Sequence, residues 1–318
     1  MRMVQILRPD EVRQKYGQLF CKGFLTMVDE ERGIAQIVEK CSAKGPGEWD
    51  VVNRRRAGGV IENIRMEGQT LIMDAVIGEK ELKFGPVSEY VGGQGLAALK
   101  VEGDKVRTTW YGIAGATVGI GACLAQCPDV IQTEYPDDFK IGGAHVAHVD
   151  IITPKTVRVI IGVDDTDTKE RGASWVAALK LGNSCPIGSF IDHKIIQLNP
   201  KVPNKTTNCC STAVSFAVKE EEIPALIEHC RDFIKKESFS DGSAMTVFKG
   251  LSIPSALEGY GMRAKTEILT EEDAFKAAEE NGVQIISISG TRGAIGAVAA
   301  IGCFDMGGMA AGIPEDFR

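Results

Sequence analysis

Three carboxylates, Asp164, Asp165 and Asp167, crowd into the run GVDDTDTKERGASW at 162–175, directly after VRVII, which reads as a buried strand. Crowded carboxylates repel and raise one another's pKa, so a folded chain tolerates them only beside a cation, a basic partner or open water. Asp oxygens are hard ligands suited to Mg²⁺, an ion that keeps several of its waters and binds nucleotide phosphates. An acidic turn capping the next helix accounts for one of the three and leaves two unexplained. The spacing therefore points to Asp164, Asp165 and Asp167 as metal ligands and as catalytic residues.

Two other segments of the same half could supply what bound phosphates need. LNPKVPNKTTN at 198–208 is stiffened by two prolines and offers Asn199, Lys201, Asn204, Lys205, Thr206 and Thr207, all suited to phosphate or sugar contacts. GTRGAIGAVAAIG follows a strand, VQIISIS, and carries Gly290, Thr291, Arg292, Gly293 and Gly296. Glycines at a strand-to-helix turn let backbone N–H groups approach an anion, and the helix N-terminus adds partial positive charge. The segment lacks the Lys followed by Ser or Thr of a P-loop, and alone it equally describes a helix packed tightly on a sheet.

In order, GVDDTDT, GASW, LNPKVPNKT and GTRGAIGAVAAIG resemble the kinase-like domain of the archaeal tRNA(Ile) agmatinylcytidine synthetases, over roughly residues 157–304. The chain as a whole resembles the methanogenesis marker protein 11 family of methanogenic archaea. The first resemblance implies use of ATP and Mg²⁺ to activate an acceptor by phosphorylation. In the synthetases the acceptor is a wobble cytidine, from which agmatine then displaces the phosphate. It also implies a phosphorylated hydroxyl just after the acidic run, which falls on Ser174. Here the sequence reads Ala173-Ser174-Trp175, where the synthetases have Cys-Thr-Thr. The synthetases continue into OB-fold and zinc-ribbon modules that grip tRNA, so their substrate is not carried over to this chain.

The elements that must position these residues alternate differently in the two halves. Up to about residue 155, short strand-like runs (FLTMV, IAQIVEK, TLIMDAVI, KVRTTWYGI) are separated by Gly and charged turns and lead into a glycine-rich helix at 112–125 whose small residues suit burial. ITPKT at 152–156 reads as the linker. Beyond it, strands interleave with helices ASWVAALKL, EIPALIEHCRDFIKK and EEDAFKAAEEN. The expected class is α+β with mixed sheets: a strand-rich domain at 1–155 and an ATP-using, kinase-like domain with a helix-covered sheet at 156–318.

Composition narrows the partners. The 318-residue chain is 44% hydrophobic, 25% charged and carries a formal charge of −7, which argues against a general nucleic-acid coat. Arg54-Arg55-Arg56 is the one obvious local basic patch for RNA, although a solvated turn beside Gly58-Gly59 accounts for it better. No stretch suits a signal peptide or a bilayer span, so the expected location is cytoplasmic, with no membrane partner. Nine cysteines without a CxxC pair imply neither a disulfide framework nor a zinc ribbon, and Cys123, Cys127, Cys209 and Cys210 are expected to pack as small hydrophobes. In HVAHVD, His148 and Asp150 share a strand face and His145 does not, which disfavours a metal there.

The sequence thus supports an ATP- and Mg²⁺-dependent phosphoryl-transfer enzyme, a kinase-like transferase or ligase of methanogenic archaea. Asp164, Asp165, Asp167 and Ser174 would be catalytic; Asn199, Lys205, Thr206, Gly290, Thr291, Arg292 and Gly293 would hold the nucleotide. Its acceptor, whether RNA, protein or small molecule, and its oligomeric state are not read from the sequence. The alternatives are a nucleotide-binding accessory protein for a methanogenesis enzyme and an RNA-binding or tRNA-modification protein.

Overall fold

The computed structural model describes residues 4–83 and 93–317. The chain divides into two compact units, Met1–Thr156 and Val157–Arg318. The α+β class holds, and the ladders of the three sheets run antiparallel.

The first unit contains β1 (Val4–Leu7), α1 (Pro9–Tyr16), β2 (Cys21–Asp29), β3 (Ile34–Cys41), α2 (Lys44–Ala57), β4 (Ile61–Glu67), β5 (Thr70–Val76) and β6 (Gly78–Glu79). It continues with β7 (Gln94–Glu102), β8 (Lys105–Ile113), α3 (Ala116–Val118, prolonged as helical turns to Gln126), β9 (Gln132–Pro136) and β10 (Val146–Pro154). One sheet has the order β1-β9-β10-β8-β7-β6 and the other β2-β3-β5-β4. Strict alternation in β5 sends Leu71, Met73 and Ala75 inward, where they join Phe24, Ile37 and Trp110 in one core. The glycine-rich helical stretch is buried as expected, through Ile120, Cys123, Leu124 and Ala125. His148 stacks on Tyr111 at 5.0 Å between ring centroids, and Asp150 accepts a hydrogen bond from Thr109 Oγ1 at 2.6 Å, so both side chains are spent within the sheet.

The basic triplet does not present three arginines to a partner. The Arg54 side chain is fully buried, its guanidinium 2.5 Å from Glu39 and 3.3 Å from Asp50, and it stacks over Trp110 at 4.8 Å. Arg55 donates to the Ile64 carbonyl at 2.8 Å. Arg54 lies on the face of α2 that also buries Asp50 and Ala57 at helical spacing, whereas Arg55 and Arg56 are exposed.

The second unit is built on a five-stranded sheet ordered β12 (Ser189–Gln197), β13 (Cys210–Val218), β11 (Val157–Asp164), β14 (Ala244–Lys249), β15 (Gln284–Ser287). Central β11 is covered on both faces, which is why its sequence is an almost unbroken apolar run. Val157, Val159, Ile161 and Val163 face a core that contains Leu181 of α4 (Ser174–Ser184) and Leu226, Cys230 and Ile234 of α5 (Ile223–Glu237). Ile160 faces the opposite core, with residues of α6 (Ser255–Thr266), α7 (Glu271–Glu280) and α8 (Ala294–Gly302). Each such wholly buried Val or Ile contributes roughly 1.5–3 kcal/mol. Arg158, also on the second face, is neutralised by two hydrogen bonds to Asp305 at 2.9 and 2.7 Å. Among the described residues no helix is long and apolar enough to cross a membrane.

Candidate functional site

β11 ends at Asp164, which pairs in register with Ala244 of β14. The chain then turns sharply: Asp165 has φ +59°, a left-handed conformation costly for a residue with a Cβ. Cys209, at φ +52°, is strained in the same way, and both line one cleft of about 360 Å³. Strained non-glycine backbone persists only where its surroundings impose it, and it concentrates at functional sites.

The cleft brings together much of what the sequence singled out. Asp164, Asp165, Asp167 and Ser174 line it, with Lys205 and Thr206 from the 198–208 loop and Arg292 from the turn before α8. Asp167 joins the acidic turn to Ser174 and to the 198–208 loop. Its Oδ1 accepts from Ser174 Oγ and its Oδ2 from Thr206 Oγ1, each at 3.0 Å. Ser174, at the first turn of α4, in turn accepts from the Thr166 N–H at 3.1 Å and the Thr166 hydroxyl at 3.0 Å. A serine hydroxyl donating to a carboxylate is the arrangement that activates a nucleophile or an acceptor hydroxyl.

Asp165 has a different role. Its carboxylate accepts from Arg292 Nε at 2.6 Å and Ser240 Oγ at 3.1 Å, while Arg292 also reaches Asp241 at 3.1 Å. Asp165 therefore orients a partly exposed guanidinium across the cleft. Lys205 Nζ donates to the Pro200 carbonyl at 2.6 Å, an uncharged partner that leaves its positive charge uncompensated by that contact.

Asp164 stands over the first turn of α8. A Cβ on Gly296 would lie 1.8 Å from Asp164 Oδ2, so the glycine is what admits the carboxylate there. Burial raises the Asp164 pKa well above the usual carboxylate range. The Asp165 N–H opposes this, the Asp165 and Asp167 charges add to it, and Arg292 offsets part of it.

Other expected ligands lie elsewhere. Asn199 is buried and sits outside the cleft lining; its Oδ1 accepts the Lys201 N–H at 3.0 Å and shapes the loop. Gly290, Thr291 and Gly293 do not line the cleft either. A Cβ at Gly290 would lie 2.3 Å from the Asp241 carbonyl oxygen, and one at Gly293 2.6 Å from that of Asp164, so these glycines serve close packing against the ends of β11 and β14. The Thr291 carbonyl accepts the Ala294 N–H at 2.9 Å in the turn before α8.

For a metal ion the three carboxylates are unequal. Asp165 is engaged by Arg292 and Asp167 by two hydroxyls, and among the described residues no group of three or more His, Cys, Asp or Glu is arranged to hold a metal. Asp164, charged only at a desolvation cost, with Asp167 nearby, suits an ion held by one or two carboxylates and completed by water and phosphate. A three-carboxylate cage does not match this geometry.

The remaining wall is formed by Trp175 of GASW, Val202 and Pro203 of the 198–208 loop, and Ile268 and Leu269, which belong to no motif. Trp175 and Ile268 are exposed large apolar residues, a surface that a flat ring could cover. Ile268 and Leu269 carried no hint of this in the sequence.

Residues 160–290 match the family model of the TiaS TCKD domain. Over 151 residues the chain is 37% identical to TiaS of Thermococcus sibiricus, the 2-agmatinylcytidine synthetase of an isoleucine tRNA, covering 46% of this chain and 35% of that one. It is 29% identical over 148 residues to the TiaS of Pyrococcus horikoshii. The chain thus spans about a third of the length of these synthetases. Among solved structures, the complex of TiaS with its isoleucine tRNA and ATP aligns with 46% of this chain and 36% of its own at a TM-score of 0.42 and 22% identity. Along almost its full length the chain is 35% identical to the uncharacterized protein MJ0921 of Methanocaldococcus jannaschii, over 301 residues that cover 93% of this chain and 98% of that one. The chain therefore belongs to the same family as MJ0921, and its second unit carries the region that matches the TiaS TCKD domain.

Proposed function

We propose that the second unit binds ATP and transfers its γ-phosphoryl group to activate an acceptor, and that this acceptor is RNA, as in a tRNA-modification reaction. What carries the reading is the convergence on one cleft of the acidic turn, the Lys205–Thr206 loop, joined to it through Asp167, and Arg292, joined to it through Asp165. The match to the TiaS TCKD domain supports ATP as the donor and favours RNA over protein or a small molecule. The wider resemblance to methanogenesis marker protein 11 belongs to the same proposal, as does a cytoplasmic setting.

Phosphoryl transfer needs little covalent help from a protein and depends on positioning and charge neutralisation. In this reading Arg292, held by Asp165, and Lys205, released from the Pro200 carbonyl, neutralise phosphate oxygens. Asp164 and Asp167 would hold Mg²⁺, which would supply charge neutralisation at the phosphates. Asp167 also accepts the proton of the attacking hydroxyl, and Ser174, already hydrogen-bonded to it, is the residue placed to carry a phosphoryl group transiently.

The test is release of phosphate from γ-labelled ATP with Mg²⁺, with and without bulk archaeal tRNA. Stimulation by tRNA together with label on the RNA supports the proposal. Turnover unaffected by tRNA refutes the RNA acceptor, and absence of ATP binding refutes the whole reading.

A further inference from the structure

Beside the acidic turn stand a cation and two rings that the proposed chemistry leaves unused. The Arg171 guanidinium lies 4.2 Å over the ring of Phe239, and both side chains are exposed. Phe239 is anchored to the turn: its N–H donates to the Thr166 carbonyl at 2.8 Å, and a Cβ on Gly172 would lie 2.9 Å from its ring and 3.1 Å from the Asp167 Cβ. With φ +91° and no room for a side chain, Gly172 is what lets that ring pack beside Asp167. Trp175, 38% exposed, lines the cleft and follows Ser174, whose hydroxyl donates to the same Asp167. Both rings thus adjoin the carboxylate assigned to the acceptor's hydroxyl.

We propose that Arg171, Phe239 and Trp175 form a stacking platform for unpaired nucleotides of the acceptor RNA. The platform rests on the RNA reading above and adds to it the form in which the RNA is taken: single-stranded beside the reacting nucleotide.

Aromatic side chains and guanidinium planes stack on the faces of nucleobases, which a duplex keeps covered. A guanidinium held over a ring keeps its charge and offers its other face. Neither Arg171 nor its neighbour Lys169 has a carboxylate partner among the described residues, so both are available to phosphates. The chain as a whole carries a formal charge of −7, so a broad electrostatic footprint is lacking and a local platform must supply the grip. ATP does not account for all of it. Trp175 and Gly172 line the cleft that gathers the phosphate-binding side chains, whereas Arg171 and Phe239 stand outside that lining. The platform therefore runs from the rim into the cleft, the path an acceptor strand takes toward Asp167.

The experiment measures, by fluorescence anisotropy at low salt, binding of the full-length protein to a labelled, unstructured RNA of about 12 nucleotides and to the same strand in a duplex, beside calorimetric titration of ATP with Mg²⁺. The wild type should bind the single strand at least about tenfold more tightly than the duplex. Arg171→Glu and Trp175→Leu change exposed side chains and keep the fold; each should weaken single-strand binding about fivefold or more, and Trp175→Phe, which keeps a ring, should restore most of it. Arg171→Glu should also flatten the slope of log affinity against log salt by about 0.7, one phosphate contact, with ATP affinity within about twofold of wild type. Equal binding of the two RNA forms, or single-strand binding unchanged in both variants, overturns the platform. So does loss of ATP binding with RNA binding intact, which would give the rings to adenine. Wild-type protein that binds ATP and no RNA overturns the platform together with the RNA acceptor, whereas tRNA labelling that survives undiminished in both variants overturns the platform and leaves the RNA acceptor standing.

Discussion

Replacing Gly296 with alanine tests the placement of Asp164 most sharply. The new methyl would lie 1.8 Å from Asp164 Oδ2, whereas ordinary contact begins at 3.4 Å, so the carboxylate or the first turn of α8 must give way by about 1.6 Å (3.4 − 1.8). Overpacking of this kind costs roughly 1–3 kcal/mol. Alanine returns about 1 kcal/mol of helix propensity, so the net loss of stability should be about 0–2 kcal/mol, small enough for the fold to survive. Catalysis is more exacting, because a displacement of about 1 Å at a reacting centre can cost on the order of 100-fold in rate. Urea unfolding of the variant beside the wild type, with ATP turnover measured on the same samples, separates the two effects. Wild-type turnover in a folded Gly296→Ala protein would show that the Asp164 carboxylate does not need its place above α8, and that part of the site's logic would fall.

Four further outcomes follow from single contacts. Asp165→Asn keeps the shape of the turn but weakens the hold on Arg292, so Mg²⁺-dependent turnover should fall while the melting temperature stays within a few degrees; an unfolded variant would instead make the residue structural. Asp164 has a raised folded-state pKa, so its penalty is absent below its unfolded value near about 4 and grows as pH rises; Asp164→Asn should therefore melt higher than wild type at neutral pH, with the gain vanishing in acid. Glu39→Ala leaves the buried Arg54 guanidinium short of its nearest counter-charge and should cost about 3–5 kcal/mol in the first unit, read by urea denaturation. Gly119→Leu would drive side-chain atoms into Gln94, whose Nε2 already stands 3.0 Å from an added Cβ, and should destabilise by roughly 1–3 kcal/mol; unchanged thermal stability would contradict burial of that stretch.

What could be read from the sequence was whatever is local. The run VRVII announced β11 because a strand covered on both faces is apolar at nearly every position, and the acidic turn announced the cleft because three close carboxylates need a reason. The glycines of GTRG carried two meanings that local sequence cannot separate, an anion cradle or a close backbone approach. Gly290 and Gly293 make close backbone approaches, while Gly296, further along, makes room for the Asp164 carboxylate. The Arg54–Arg56 run looked like a surface patch because charge is usually solvated; only the long-range partner Glu39 explains why Arg54 is inside. Ile268 and Leu269 lie in a short connection between α6 and α7 with no pattern of their own, so their place in the cleft wall depends wholly on tertiary structure.

The most direct test of the central claim is calorimetric titration of ATP with Mg²⁺ into the full-length protein, beside the Asp167→Ala variant, whose substitution unties Ser174 and Thr206 from the acidic turn. Saturable one-site binding by the wild type, weakened at least about tenfold in the variant, is the predicted result; a tenfold change corresponds to about 1.4 kcal/mol. No binding by the folded wild-type protein, or equal binding by both, would contradict the assignment of this cleft to ATP.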